Sequence, residues 1–238
     1  MSLTKTPLII RQIILASLLI LALSSCATMA KPPLPMKPGK EVETLQSVVS
    51  LAVESSTGSI GGNGYLIFKR PGRFHLVLLA PFGVTVMEVF VNGESVTCII
   101  PSKQIAYTGT FSELPEGNPL KGWSLMRWVV ETPPAANGSA GGEQEQVRQD
   151  GRKEFLLFDA RGLLQRKINE DGEQIFYDNY QEINGVAFPA VIKMRDRRGN
   201  TVKVSFDEPE INQPVEEGAL VPLLDGLDLR PITDFSGV

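Results

Sequence analysis

Histidine and cysteine are nearly missing from this chain. Its 238 residues include one histidine, His75, and two cysteines, Cys26 and Cys98. A zinc-type site needs three or four imidazole, thiolate or carboxylate donors, and no cluster of them is present, so no metal is expected. A Ser-His-Asp triad would have to use His75, and no G-x-S-x-G accompanies it. The glycine run Gly58–Gly64 (GSIGGNG) lacks the Lys-Ser/Thr and the following helix of a phosphate loop. It reads as a bulged or kinked strand start. The acidic pairs Glu208/Glu210 and Glu216-Glu217 lie in polar turns as solvated charges. No cofactor is implied, and the chain reads as a non-enzyme. A basic excess is missing too: 23 basic against 27 acidic residues give a net charge of −4. That excludes a nucleic-acid binder, which needs a basic face.

A long membrane-spanning run is also lacking. The N-terminal apolar stretch Ile13–Leu23 covers eleven residues, interrupted by Ser17, where a spanning helix needs about 20. With Lys5 and Arg11 before it, the stretch has the layout of a cleavable signal peptide over residues 1–25. It ends in Leu23-Ser24-Ser25-Cys26. That segment resembles a lipobox, on which bacteria build a diacylglyceryl-cysteine, so Cys26 is the expected lipidation site. Without Lys5 and Arg11 the remaining chain carries 21 basic and 27 acidic residues, a net charge of −6. Ala27 follows the cysteine, where an Asp would resemble an inner-membrane retention signal. It implies an outer-membrane address facing the periplasm in a host with two membranes. Residues 26–40 hold four prolines and read as an extended tether. Cys98, alone in VTCII, reads as a small apolar core residue of a strand.

From Glu41 onward the pattern is that of strands. Segments rich in Val, Ile, Phe and Thr alternate with Gly, Asn and Pro. Strands are expected near 46–56, 63–70, 72–80, 84–91, 94–101, 103–109, 152–159, 161–169, 173–181, 187–196 and 200–208. Asn92-Gly93, Asp171-Gly172 and Asn184-Gly185 are hairpin signals, and consecutive hairpins imply an antiparallel meander. Phe74, Leu76 and Leu78 share one face, and His75 lies on the other as a surface residue. Residues 119–131 read as a helix, with Leu125, Trp128 and Val129 at i, i+3, i+4 spacing and Pro133-Pro134 as its stop. Residues 134–151 read as a surface loop. One turn is unusual. Ala80-Pro81-Phe82-Gly83 places a Phe where turns normally carry polar residues. Composition leaves open whether Phe82 is exposed or folded back on the core.

Several stretches, in order, are similar to the LolB family of outer-membrane lipoprotein receptors, related in fold to the carrier LolA. They are the lipobox, then Leu76–Val89 (LVLLAPFGVTVMEV), then Pro119-Leu120 with Ser124–Val129 (SLMRWV) and Pro133. Phe188-Pro189-Ala190 and Val202–Phe206 (VKVSF) follow. The resemblance covers residues 42–212. It implies a mainly β fold, an antiparallel half-open β-barrel with covering helices and an apolar cavity. It implies a monomer that takes lipoprotein acyl chains from a periplasmic LolA-like carrier and inserts them into the outer membrane. By this match Pro81, Phe82 and Gly83 form a membrane-insertion loop. Phe74, Leu76, Leu78, Leu125 and Trp128 are candidate cavity-lining residues. The domain is expected over 41–212. The extension 213–238 lies past the family's usual end. Its Leu220, Val221, Leu223, Leu224, Leu227 and Leu229 are expected to cover the sheet or cavity, or to bind a partner. The extension and the acidic loop also fit an alternative, a non-transporting envelope lipoprotein that scaffolds a protein complex.

Overall fold

The computed structural model describes residues 40–55, 58–114, 141–147 and 151–236. Six strands precede residue 115: β1 (Thr44–Ser55), β2 (Gly58–Lys69), β3 (Arg73–Leu79), β4 (Thr85–Asn92), β5 (Ser95–Ile100) and β6 (Ile105–Thr110). Seven follow: β7 (Gly142–Val147), β8 (Lys153–Phe158), β9 (Leu164–Asn169), β10 (Gln174–Ile183), β11 (Val186–Arg195), β12 (Thr201–Ile211) and β13 (Asp228–Pro231). All join one sheet, in the order β13-β6-β5-β4-β3-β2-β1-β12-β11-β10-β9-β8-β7. Two meanders therefore meet where β1 pairs with β12, and the sheet stays open between β13 and β7.

The turns follow from their residues. Asn184 and Gly185 both take positive φ, 52° and 78°, between paired Ile183 and Val186; this is the left-handed pair that matches strand twist. Three other turns repeat one device, an Asp or Asn whose side chain bonds the backbone N–H four residues on. Asp159 Oδ1 accepts from Leu163 N, Asp196 Oδ1 from Asn200 N and Asn169 Oδ1 from Glu173 N. Each has a glycine three residues after the Asx, Gly162, Gly199 or Gly172, with φ near +80°. Such side-chain bonds offer the backbone an alternative to continuing the strand.

Alternation gives the sheet two faces. The inner face gathers one large cluster from both meanders, including Leu45, Val49, Leu66, Phe68, Phe74, Leu76, Val89, Cys98, Ile175, Ile192 and Val204. Burying each such side chain contributes about 1.5–3 kcal/mol. Cys98 is a fully buried free thiol, and burial pushes its pKa up to about 12. The outer face carries a smaller cluster, Phe90, Ile99 and Ala106, against which Leu224 and Leu227 pack.

Several expectations change. Gly58–Gly64 is regular strand, and β1–β2 pairing runs from Thr44↔Lys69 to Ser55↔Gly58 without a register shift. The glycines allow close approach instead: a Cβ on Gly64 would lie 2.2 Å from the Val77 carbonyl oxygen. The expected loop 134–151 contains β7, paired with β8. Its polar residues had no apolar alternation to reveal an edge strand. The sheet is not wholly antiparallel, since β13 runs parallel to β6. The chain reaches that edge only after crossing the outer face, the long connection a parallel pair requires. The helix expected at 119–131 lies outside the described residues; among the described residues the helical segments are short 3-10 turns.

Candidate functional site

The β3–β4 connection is the most unusual local structure of the sheet. Ala80 N donates to the Val84 carbonyl at 2.8 Å, and Gly83 N donates to that of Ala80 at 3.1 Å. Pro81 occupies the second turn position. Phe82 occupies the third, with φ 72° and ψ 14°, a place in type II turns that favours Gly or Asn. For an L-residue with a Cβ the left-handed region costs roughly 1–2 kcal/mol. The side chain recovers nothing by packing, because Phe82 is 103% exposed. Val84, next in the loop, is 63% exposed. Strain and apolar exposure thus coincide at one residue. Such a combination points toward a functional constraint on the turn.

An open groove of about 600 Å³ lies beside this turn. It is lined by Ser50 and Leu51 of β1, Gly61, Gly62 and Asn63 of β2, and Leu79 through Gly83. Strand β3 also carries Phe74, Leu76 and Leu78. Phe74 and Leu76 are 2% and 1% exposed within the inner cluster, and Leu78 is half-buried against it. One strand therefore links the inner apolar face to the protruding turn. The structure brings these three residues together with Pro81, Phe82 and Gly83 along that strand. Cys26, Leu23, Ser24, Ser25, Ala27, Leu125 and Trp128 lie outside the described residues.

Two features escaped the sequence pattern. Lys167 is fully buried and Glu154 is 2% exposed. Lys167 sits in register with Leu156 and Ile175, on the inner face. Tyr177, also buried there, has its phenol pKa raised well above the usual value, by burial first and then by Tyr180 and Glu154. Nothing local to Arg166-Lys167 separates an inward basic residue from an outward one; pairing register is what places Lys167 on the inner face. The second feature is His75, which is not a free surface residue. Its Nδ1 lies 2.9 Å from the Ala219 carbonyl oxygen and its Nε2 2.9 Å from Glu88 Oε2. Its ring stacks on Phe90 at 3.9 Å. The acceptor at Nδ1 comes from 144 residues away, so no local pattern could announce it.

Comparison with protein families matches residues 44–208 to the model of the family described as "Outer membrane lipoprotein LolB". No curated protein matches the chain by direct sequence comparison. Among solved structures, a domain from Vibrio parahaemolyticus described as an outer membrane lipoprotein-sorting protein superposes with a TM-score of 0.56. It is 12% identical, covering 78% of this chain and 91% of that one. A LolA superfamily protein from Nitrosomonas europaea gives a TM-score of 0.46 at 11% identity, covering 79% and 93%. At such identities the Vibrio superposition speaks for the fold alone.

Proposed function

Because the chain belongs to the LolB family, we propose that it takes the acyl chains of lipoproteins from a soluble LolA-like carrier and inserts them into the outer membrane. In this reading Cys26 carries the lipid that holds the chain at the membrane, facing the periplasm. Leu23, Ser24, Ser25 and Ala27 direct its processing and sorting. The inner face, with Phe74, Leu76 and Leu78 and with Leu125 and Trp128 of the intervening segment, receives the acyl chains. Pro81, Phe82 and Gly83 engage the bilayer.

The observation that carries this reading is Phe82, strained and wholly exposed at the end of the strand that lines the inner face. A bilayer would bury its ring. The energetics are consistent. Three acyl chains hold about 40 CH₂ groups, and at about 0.8 kcal/mol each their release into water is opposed by roughly 30 kcal/mol. Passing them from one apolar surface to another, then to a bilayer, keeps each step near balance, so no nucleotide is needed.

The test places the lipidated chain in liposomes and offers a fluorescent lipoprotein held by a soluble carrier. The label is expected to move into the bilayer faster than with chain-free liposomes. Equal rates overturn the proposal. A second reading, a scaffold for an envelope complex, draws on Val221, Leu223 and Leu229. These are 55%, 84% and 56% exposed in the segment beyond the family match. A stoichiometric protein partner recovered with the chain, without bound acyl ligand by mass spectrometry, would favour it.

A further inference from the structure

The C-terminal segment holds the sheet at three places. Its first turn lies on the outer face, where Glu217 pairs with Lys69 and with Arg73, the latter at 2.8 Å. There the Ala219 carbonyl meets His75. Its middle covers Phe90, Ile99 and Ala106 with Leu224 and Leu227. Its end adds β13 to the sheet edge and buries Ile232 and Phe235 in the inner cluster. Ile232 fits there because residue 109 is glycine; a Cβ would come within 2.3 Å of Ile232 Cγ2. The end is thus fixed by backbone pairing and core burial. The beginning is held by polar contacts around a single buried side chain, Leu220 at 6% exposure.

His75 is the centre of those contacts. Both ring nitrogens face oxygens at 2.9 Å, one a backbone carbonyl and the other a carboxylate. A carbonyl and an ionised carboxylate only accept. The doubly protonated ring donates to both. A neutral ring has one N–H, and the charge-assisted bond to Glu88 is the stronger claim on it. Nδ1 would then turn a lone pair toward the Ala219 carbonyl. Histidine is the side chain that ordinarily changes charge between about pH 5 and 8.

We propose that residues 216–227 form a strap over the outer face whose closure is governed by the protonation of His75. The imidazolium closes it. The neutral ring releases Ala219 and loosens the cover on Phe90, Ile99 and Ala106. Among the described residues, the charged and titratable groups of the strands under the strap and of the strap itself include Lys69 and Tyr65 of β2, Arg73 of β3, Glu88 of β4, and Glu216, Glu217 and Asp225 of the strap. Phe90 of β4 stacks on the ring and keeps it in place. Glu217 has two basic partners, Lys69 and Arg73, whose hydrogen bonds hold its carboxyl low, so its ion pairs are the same with either form of the His75 ring. The device operates whatever the inner face carries, and it lies outside the family-matched residues on the strap side.

The test is amide hydrogen exchange of the full chain in detergent micelles at pH 5.5 and 8.5, corrected for the intrinsic pH dependence of exchange. Protection over residues 218–227 is expected to fall about five- to tenfold at the higher pH, the loss of roughly one net hydrogen bond. Protection of β13 and of β2 should not change. His75→Phe, which can stack but cannot donate, should leave 218–227 weakly protected at both pH values. Glu88→Gln gives the sharpest outcome. Its amide can donate to Nε2, so a neutral ring keeps its proton on Nδ1 for Ala219. The strap should then stay closed at pH 8.5. Equal protection of wild type at both pH values overturns the proposal, as does a Glu88→Gln strap that still opens at pH 8.5. Full protection in His75→Phe would overturn it as well.

Discussion

Replacing Phe82 by glycine separates what the turn does for the fold from what it does outside it. In the folded chain the ring packs against nothing, being 103% exposed, and its backbone sits at φ 72°. Glycine relieves roughly 1–2 kcal/mol of left-handed strain and restores about 0.5–1 kcal/mol of unfolded-state entropy. Stability should therefore stay level or rise by up to about 1.5 kcal/mol. At a membrane the same change removes an apolar anchor worth about 1.5–3 kcal/mol. At 1.4 kcal/mol per factor of ten, liposome binding should weaken about ten- to hundredfold. The assay is flotation with vesicles of residues 27–238, which carry neither the apolar stretch Ile13–Leu23 nor the Cys26 lipid, so that neither masks the loop. Urea unfolding of the same samples gives the stability. Phe82→Trp should bind at least as well as wild type. The reasoning fails if Phe82→Gly binds vesicles unchanged, or if it loses more than about 2 kcal/mol of stability.

Other outcomes follow from the same geometry. Gly64→Ala should lose about 2–3 kcal/mol by overpacking against the Val77 carbonyl, while Gly62→Ala, with its nearest neighbour 3.8 Å away, should be near neutral; thermal unfolding of the pair checks this. Glu217 is held down at about 2 by hydrogen bonds from Lys69 and then Arg73. A depressed carboxylate stabilises fully above its unfolded value near 4.5 and loses that contribution as pH falls toward 2. Attachment of the strap, followed by hydrogen exchange at 218–227, should thus weaken over that window in wild type and show no such step in Glu217→Gln. Cys98, buried and with its thiol raised to about 12, should resist alkylation at pH 8 in the folded chain and react once urea unfolds it.

Much of the sheet was legible because its information is local. Alternating Val, Ile, Phe and Leu marked most strands, and Asn184-Gly185 or Asp171-Gly172 marked their reversals. The inward set Phe74, Leu76 and Leu78 came from period two alone. β7 was missed because GEQEQV, at the sheet edge, has little apolar alternation, and β13 because Asp228–Pro231 is exposed throughout. The Pro81-Phe82-Gly83 turn was visible as an oddity of composition. Its direction was not, since a Phe in a turn can fold either way until φ is known.

The sequence by itself determined most of the strands, their buried faces and the resemblance that pointed to the LolB family, because these depend on residues a few positions apart. Tertiary structure alone decided which distant groups meet. It put Phe82 outside, drew Lys167 inward through its register with Leu156 and Ile175, and set the Ala219 carbonyl on His75. The physical reason is that the pairing of distant strands and the path of the final segment are global choices. They are fixed by burial of both meanders into one inner cluster, and no short window of residues contains that sum.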